Sequence, residues 1–225
     1  MRTKILPIVI VTFVVLLFIS GKTLAATPTQ SVTLSPSKGQ EIGFVYEAFL
    51  SPHQEPADEE DTPPFAPQEF LSTAPSIPRN QRKSRGHGML RITNDLSKAY
   101  VSVKAENVNF EDINMFHIHC GRPDQLGPIL IDFGNPSNIE QNFADGIFEV
   151  ELRNEDIEKV SDSGRGIVGA FTAGCPIVPG IPGDVKTIAG IKYIAQKGEL
   201  YFNLHTNAQT FYGDIRGKLD PIIRE

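Results

Sequence analysis

Phe116-His117-Ile118-His119-Cys120-Gly121 alternates apolar and imidazole side chains. In an extended strand, residues i and i+2 share a face. His117 and His119 therefore point one way, and Phe116 and Ile118 point the other way into a core. Two imidazoles fixed on one face suit a metal ion, a hydrogen-bonding pair or a polar surface. A second strand-like run, Asn203-Leu204-His205-Thr206-Asn207, carries a third imidazole and is followed by Gly213-Asp214-Ile215-Arg216-Gly217. If these two distant segments pair in one sheet system, His205 joins the other two histidines.

Further strand-like runs lie at 41–50, 88–93, 98–108, 129–133 and 147–152, separated by turn chemistry such as Asn94-Asp95, Gly127-Pro128 and Gly134-Asn135-Pro136. In the first, Phe44, Tyr46, Ala48 and Leu50 fall on one face. In the third, Ala99, Val101, Val103 and Ala105 do the same. Short strands at this spacing predict an all-β fold, an antiparallel β-sandwich or barrel. A short helix is expected at 154–160, with Asn154 as its cap. The Gly- and Pro-rich stretch at 164–183 reads as a loop tethered by Cys175. The absence of Trp removes the immunoglobulin signature.

Residues 51–86 break the pattern. Seven prolines, an acidic block at Asp58-Glu59-Glu60-Asp61 and a basic block at Arg79, Arg82, Lys83 and Arg85 read as a long exposed or disordered insert. A solvated loop is the favoured reading of the basic block, ahead of a protease site or an anion-binding patch.

Arg2 and Lys4, an apolar run at 5–19 and the small-residue tail Thr23-Leu24-Ala25-Ala26 have the layout of a secretory signal peptide cut after Ala25. The apolar run is short for a bilayer span, which needs about 20 residues. Cleavage would also remove Lys22, taking the 21 basic residues to 18 against 27 acidic ones, a net charge of −9. Such a surface excludes nucleic acid as a partner, because phosphate contacts need a cationic surface. It leaves no stable membrane span. In an oxidising compartment, secreted or periplasmic, Cys120 and Cys175 are expected to form a disulfide. Closing that loop stabilises by about 3 to 4 kcal/mol on a chain-entropy account.

The histidine strand, the following Leu126-Gly127-Pro128-Ile129-Leu130-Ile131-Asp132-Phe133, and the closing pair Gly198-Glu199-Leu200-Tyr201-Phe202-Asn203-Leu204-His205-Thr206 and Gly213-Asp214-Ile215-Arg216-Gly217-Lys218-Leu219 together resemble a CHRD domain, the module named for the repeats of chordin. The resemblance spans about 41–220, leaving 26–40 and 221–225 as tails. Asp214 stands where the family more often has Glu, and 51–86 and 164–190 are expanded. The resemblance implies an exported binding or structural module of unestablished ligand, its partner an extracellular protein or a matrix or wall component. A fainter likeness to the copper-zinc superoxide dismutase sandwich implies the alternative, a Cu- or Zn-dependent redox protein using His117, His119 and His205.

The residues themselves leave both readings open. Three imidazoles suit Cu or Zn, but hydrogen bonding that fixes strand ends is the favoured reading. Cys120 faces away from the imidazoles and is not a ligand. Asn203 shares a face with His205, where it would orient a ring or pair with a turn. Asp214 and Arg216 share a face, and Arg216 is expected to hold a buried carboxylate, with Asp132 the candidate. No hydrolase elbow or phosphate loop is present.

Overall fold

The computed structural model describes residues 35–134, 138–163, 174–178 and 181–222. The expected leader at 1–25 lies outside them, as does most of the loop expected at 164–183. Strand β1 (Ile42–Leu50) buries Tyr46, Ala48 and Leu50 and leaves Phe49 exposed, as a half-buried strand of period two should. It pairs with β2 (Arg85–Thr93), which pairs with β3 (Ala99–Glu106). Along β3 the residues Ala99, Val101, Val103 and Ala105 are all buried.

The histidine strand is β4 (Ile113–Cys120), followed by β5 (Ile129–Asp132), a single helical turn α1 (Ile139–Asn142), β6 (Ile147–Leu152) and helix α2 (Asn154–Ser163). A small ribbon, β7 (Pro176–Val178) with β8 (Ile181–Asp184), precedes helix α3 (Ile188–Gln196). The chain closes with β9 (Leu200–Thr206), β10 (Ile215–Lys218) and β11 (Asp220–Pro221).

Two antiparallel sheets face each other, ordered β11-β1-β2-β3-β6 and β10-β9-β4-β5. This is the sandwich expected, with the histidine strand and the closing pair side by side in the second sheet. At one corner Ser51 and Arg216 exchange both backbone hydrogen bonds, so the end of β1 continues into β10 and the sandwich is partly closed there. Between the sheets lies a cluster of phenylalanines. Phe116 meets Phe133 at 4.6 Å, Phe148 at 5.1 Å, Phe143 at 5.5 Å and Phe202 at 5.8 Å between ring centroids. Each such ring contributes roughly 1.5–3 kcal/mol by burial.

Cys120 and Cys175 are joined, which fastens the β7–β8 ribbon to the end of β4. The expected short helix is α2. Its Asn154 does not cap it, however: the side-chain oxygen accepts from the Ile188 amide at 2.9 Å and so serves the start of α3 instead. Helix α3 was not anticipated, although Thr187 caps it at the Gly190 amide and Ile188, Ile191, Ile194 and Ala195 form its buried stripe. Pro221, expected in a tail, pairs with Tyr46.

The largest departure is at 51–84, termed the strap below. It is irregular, as its prolines require, and Phe65 is fully out in solvent. Yet Glu55, Glu59 and Arg82 are buried. The strap lies across the second sheet on the side away from the phenylalanines. As a result every residue of β9 is buried, on both faces. Arg82, read as part of a solvated basic block, donates to the Gly213 and Asp214 carbonyls at 2.9 Å each.

Candidate metal centre under the strap

Register decides which side chains meet. Within the second sheet His117 stands opposite Asn203 on β9 and Asp132 on β5, and Asn203 stands opposite Arg216 on β10. His119 stands opposite Tyr201, and Met115 opposite His205. All of these fall on the face toward the strap. The three imidazoles come together there: the ring centroids of His117 and His119 are 5.2 Å apart, as are those of His117 and His205. One ring nitrogen from each lies within 4.8 Å of the others.

Two of the rings are held by the backbone. His119 Nδ1 is 2.8 Å from the Gly127 carbonyl and His205 Nδ1 is 2.9 Å from the Thr210 carbonyl. A carbonyl can only accept, so each Nδ1 carries the proton and each Nε2 keeps its lone pair. Burial brings His119 down to about 3, with the neighbouring His205 adding to the effect, and burial brings His205 down to about 4. His117 is also driven well below its ordinary value, by burial first and then by the other two rings. At neutral pH all three are uncharged.

Each ring keeps one nitrogen without a hydrogen-bond partner among the described residues: Nδ1 of His117, Nε2 of His119 and Nε2 of His205. Leaving a buried acceptor unpaired costs about 1–3 kcal/mol. Three on rings packed against one another need an explanation. A bond from Nδ1–H to a backbone carbonyl is also what orients metal-ligating histidines. Ligands at about 2.0–2.1 Å from a zinc-like ion stand about 3.4 Å apart, so ring rotations of about an ångström would close this set.

The supports of the rings are themselves constrained. A Cβ on Gly127 would sit 1.7 Å from the Cys120 carbonyl oxygen, so only glycine brings the accepting carbonyl to His119. The Gly127 amide in turn donates to the Tyr201 hydroxyl at 2.9 Å. Tyr201 stacks on His119 at 5.1 Å, with planes 5° apart, and the Arg216 guanidinium lies 3.4 Å from the centre of the Tyr201 ring. The Arg216 nitrogens donate to the Gln125 and Arg122 carbonyls, so the expected pairing with Asp132 does not occur. Asp132 is instead 3.7 Å from His117 Nε2. Asn203 donates to the Tyr212 carbonyl, pairing with a turn rather than a ring. Asp214 pairs with the buried Arg82 at 3.7 Å, and burial raises its carboxyl. Cys120, in the disulfide, is no ligand.

The strap completes the enclosure. Glu59 accepts from the Ser72 hydroxyl and from the Phe211 and Tyr212 amides, and Ser72 accepts from the Thr210 amide. These bonds fix the turn whose Thr210 carbonyl holds His205. What remains is a cavity of about 210 Å³ in which Phe70, Met115, Leu126, Ile129 and Phe211 surround the three imidazoles. Sequence reasoning found the histidines but missed Met115, Tyr201 and Glu59. Met115 and Tyr201 carried a signal, since each shares strand parity with a histidine. Glu59 carried none.

Among known proteins, the CHRD domain family model matches residues 68–219. No curated protein and no solved structure gives a significant match.

Proposed function

The chain belongs to the CHRD domain family, and we propose that it acts as an exported binding module that takes up a transition-metal ion through His117, His119 and His205. The observation that carries this reading is the set of three buried, neutral imidazoles that each bring one ring nitrogen within 4.8 Å of the others and each keep one nitrogen unpartnered. The hydrogen-bonding reading accounts for Nδ1 of His119 and of His205 but leaves the three unpartnered nitrogens with no role. Export is supported by the leader-like residues at 1–25 and by a disulfide, which belongs in an oxidising compartment. No described helix is long and apolar enough to cross a membrane. The family match lends no support to a dismutase-like redox enzyme.

The test is metal analysis of the full chain, secreted by an exporting host, followed by titration with Zn²⁺ and, under anaerobic conditions, Cu⁺. One equivalent of bound metal is expected, together with a rise in melting temperature. Binding should disappear in His117→Ala/His119→Ala while the far-ultraviolet spectrum keeps its β signature. Substoichiometric metal and an unchanged melting temperature at micromolar supply would sink the reading.

A further inference from the structure

We infer that this pocket selects monovalent copper over zinc, with the Met115 thioether as the fourth donor beside the three imidazoles. The inference rests on the metal-binding reading above and goes on to name the ion.

Met115 stands opposite His205 in the β4–β9 ladder and lines the same cavity as the three histidines. Directly opposed residues in such a ladder have Cβ atoms about 5 Å apart. The flexible, unbranched side chain of methionine can cover the remaining distance. A thioether is a soft donor, and soft sulfur ligands favour Cu(I), whereas imidazole alone serves copper and zinc alike.

Charge points the same way. The three imidazoles and the thioether are all neutral, and the two cysteines are locked in a disulfide, so no thiolate can contribute. Asp132 lies 3.7 Å from Nε2 of His117, and the unpartnered nitrogen of that ring is Nδ1. The Arg216 guanidinium sits behind Tyr201, adding positive charge on the far side of His119. The desolvation energy of an ion scales with the square of its charge, so a dication in this carbon-lined pocket costs about four times as much as a monocation of similar size. Zinc would also keep an open position for water, and four of the side chains that line the cavity beside Thr210, namely Phe70, Leu126, Ile129 and Phe211, offer water no hydrogen-bond partner.

The experiment is a pair of competition titrations on the full exported chain, one against a chromogenic Cu(I) chelator without oxygen and one against a Zn²⁺ chelator. Cu⁺ is expected to bind at least about a hundredfold more tightly. Met115→Leu, which keeps the volume and removes the sulfur, is expected to weaken Cu⁺ about tenfold or more and to leave Zn²⁺ affinity unchanged. X-ray absorption of the Cu⁺ form should show a sulfur scatterer that Met115→Leu lacks. Equal affinities for the two ions, or a Met115→Leu variant with unaltered Cu⁺ binding and spectrum, would overturn the copper assignment and leave a three-histidine site standing. Failure of both ions to bind would remove the site along with it.

Discussion

Strand β9 turns Leu200, Phe202 and Leu204 toward the first sheet and Tyr201, Asn203 and His205 toward the strap, and both sets are equally buried. On the first side close packing is enough, since phenylalanine and leucine carry no polar atom that must be matched. On the second side every buried donor and acceptor needs a partner or costs free energy. Most find one: Asn203 at Tyr212, Arg216 at two carbonyls, Arg82 at two more. Among the described residues the exceptions are one nitrogen on each of the three histidines, both oxygens of Glu55, Asn203 Oδ1, Arg82 Nε and Ser84 Oγ. The histidine nitrogens differ from the other exceptions in belonging to three rings packed against one another, and the proposed metal site rests on that.

The contrast is sharpest if each side is cut in turn. Phe116→Ala removes the ring at the centre of the aromatic cluster and should cost about 3–5 kcal/mol in urea unfolding. A loss below about 1 kcal/mol would mean that the sandwich core is not built around this ring. On the other side, Glu59→Ala removes an acceptor for two backbone amides and a hydroxyl. Bonds to a charged group are worth about 1.5–3 kcal/mol, and the loss should stay local. Amide hydrogen exchange at 207–212 should accelerate while β1, β2 and β3 keep their protection, and metal affinity should fall because the Thr210 carbonyl loosens. Uniform acceleration across both sheets would show that the strap is part of the core and not a separate cover.

The two sides were also unequally legible in the sequence. Period-two alternation is a local signal, so Phe116 and Ile118 inward and His117 and His119 outward could be read from β4 alone. The pairing of β4 with β9 stood in the sequence only as a condition, since the alternation shows two strands with histidines on one face but not which strands are neighbours. The strap was not. Its prolines and charge blocks describe an irregular backbone correctly, but composition says nothing about burial. Glu59 is held by partners 152 and 153 residues further along the chain, and Arg82 by partners 131 and 132 residues away. Such matches arise only once the second sheet exists to be covered. Helix α3 escapes notice for a different reason: it is short and follows directly on the Gly- and Pro-rich stretch at 164–183, which draws the eye to loop chemistry.

The smallest expected effect concerns Glu55, another unpaired group under the strap. Burial pushes the Glu55 carboxyl well above the ordinary range, against the pull of Arg216, Arg82 and Arg79 and with a further push from Asp214. A folded-state value above the unfolded one means that the stabilisation is complete below about pH 4.5 and is lost as pH rises through the folded value. The histidines on the same face have the opposite sign. Their folded values lie below 6.5, so their share of stability is present above that pH and is lost on acidification. Comparing the wild type with Glu55→Gln cancels the histidine contribution and isolates the carboxyl. Between pH 5 and pH 8 the metal-free variant should gain on the wild type, read as a growing difference in urea midpoints, because an amide has no proton to lose. Parallel profiles would mean that Glu55 titrates as an exposed acid does, and that the strap opens to water well before the phenylalanine side of the sheet is disturbed.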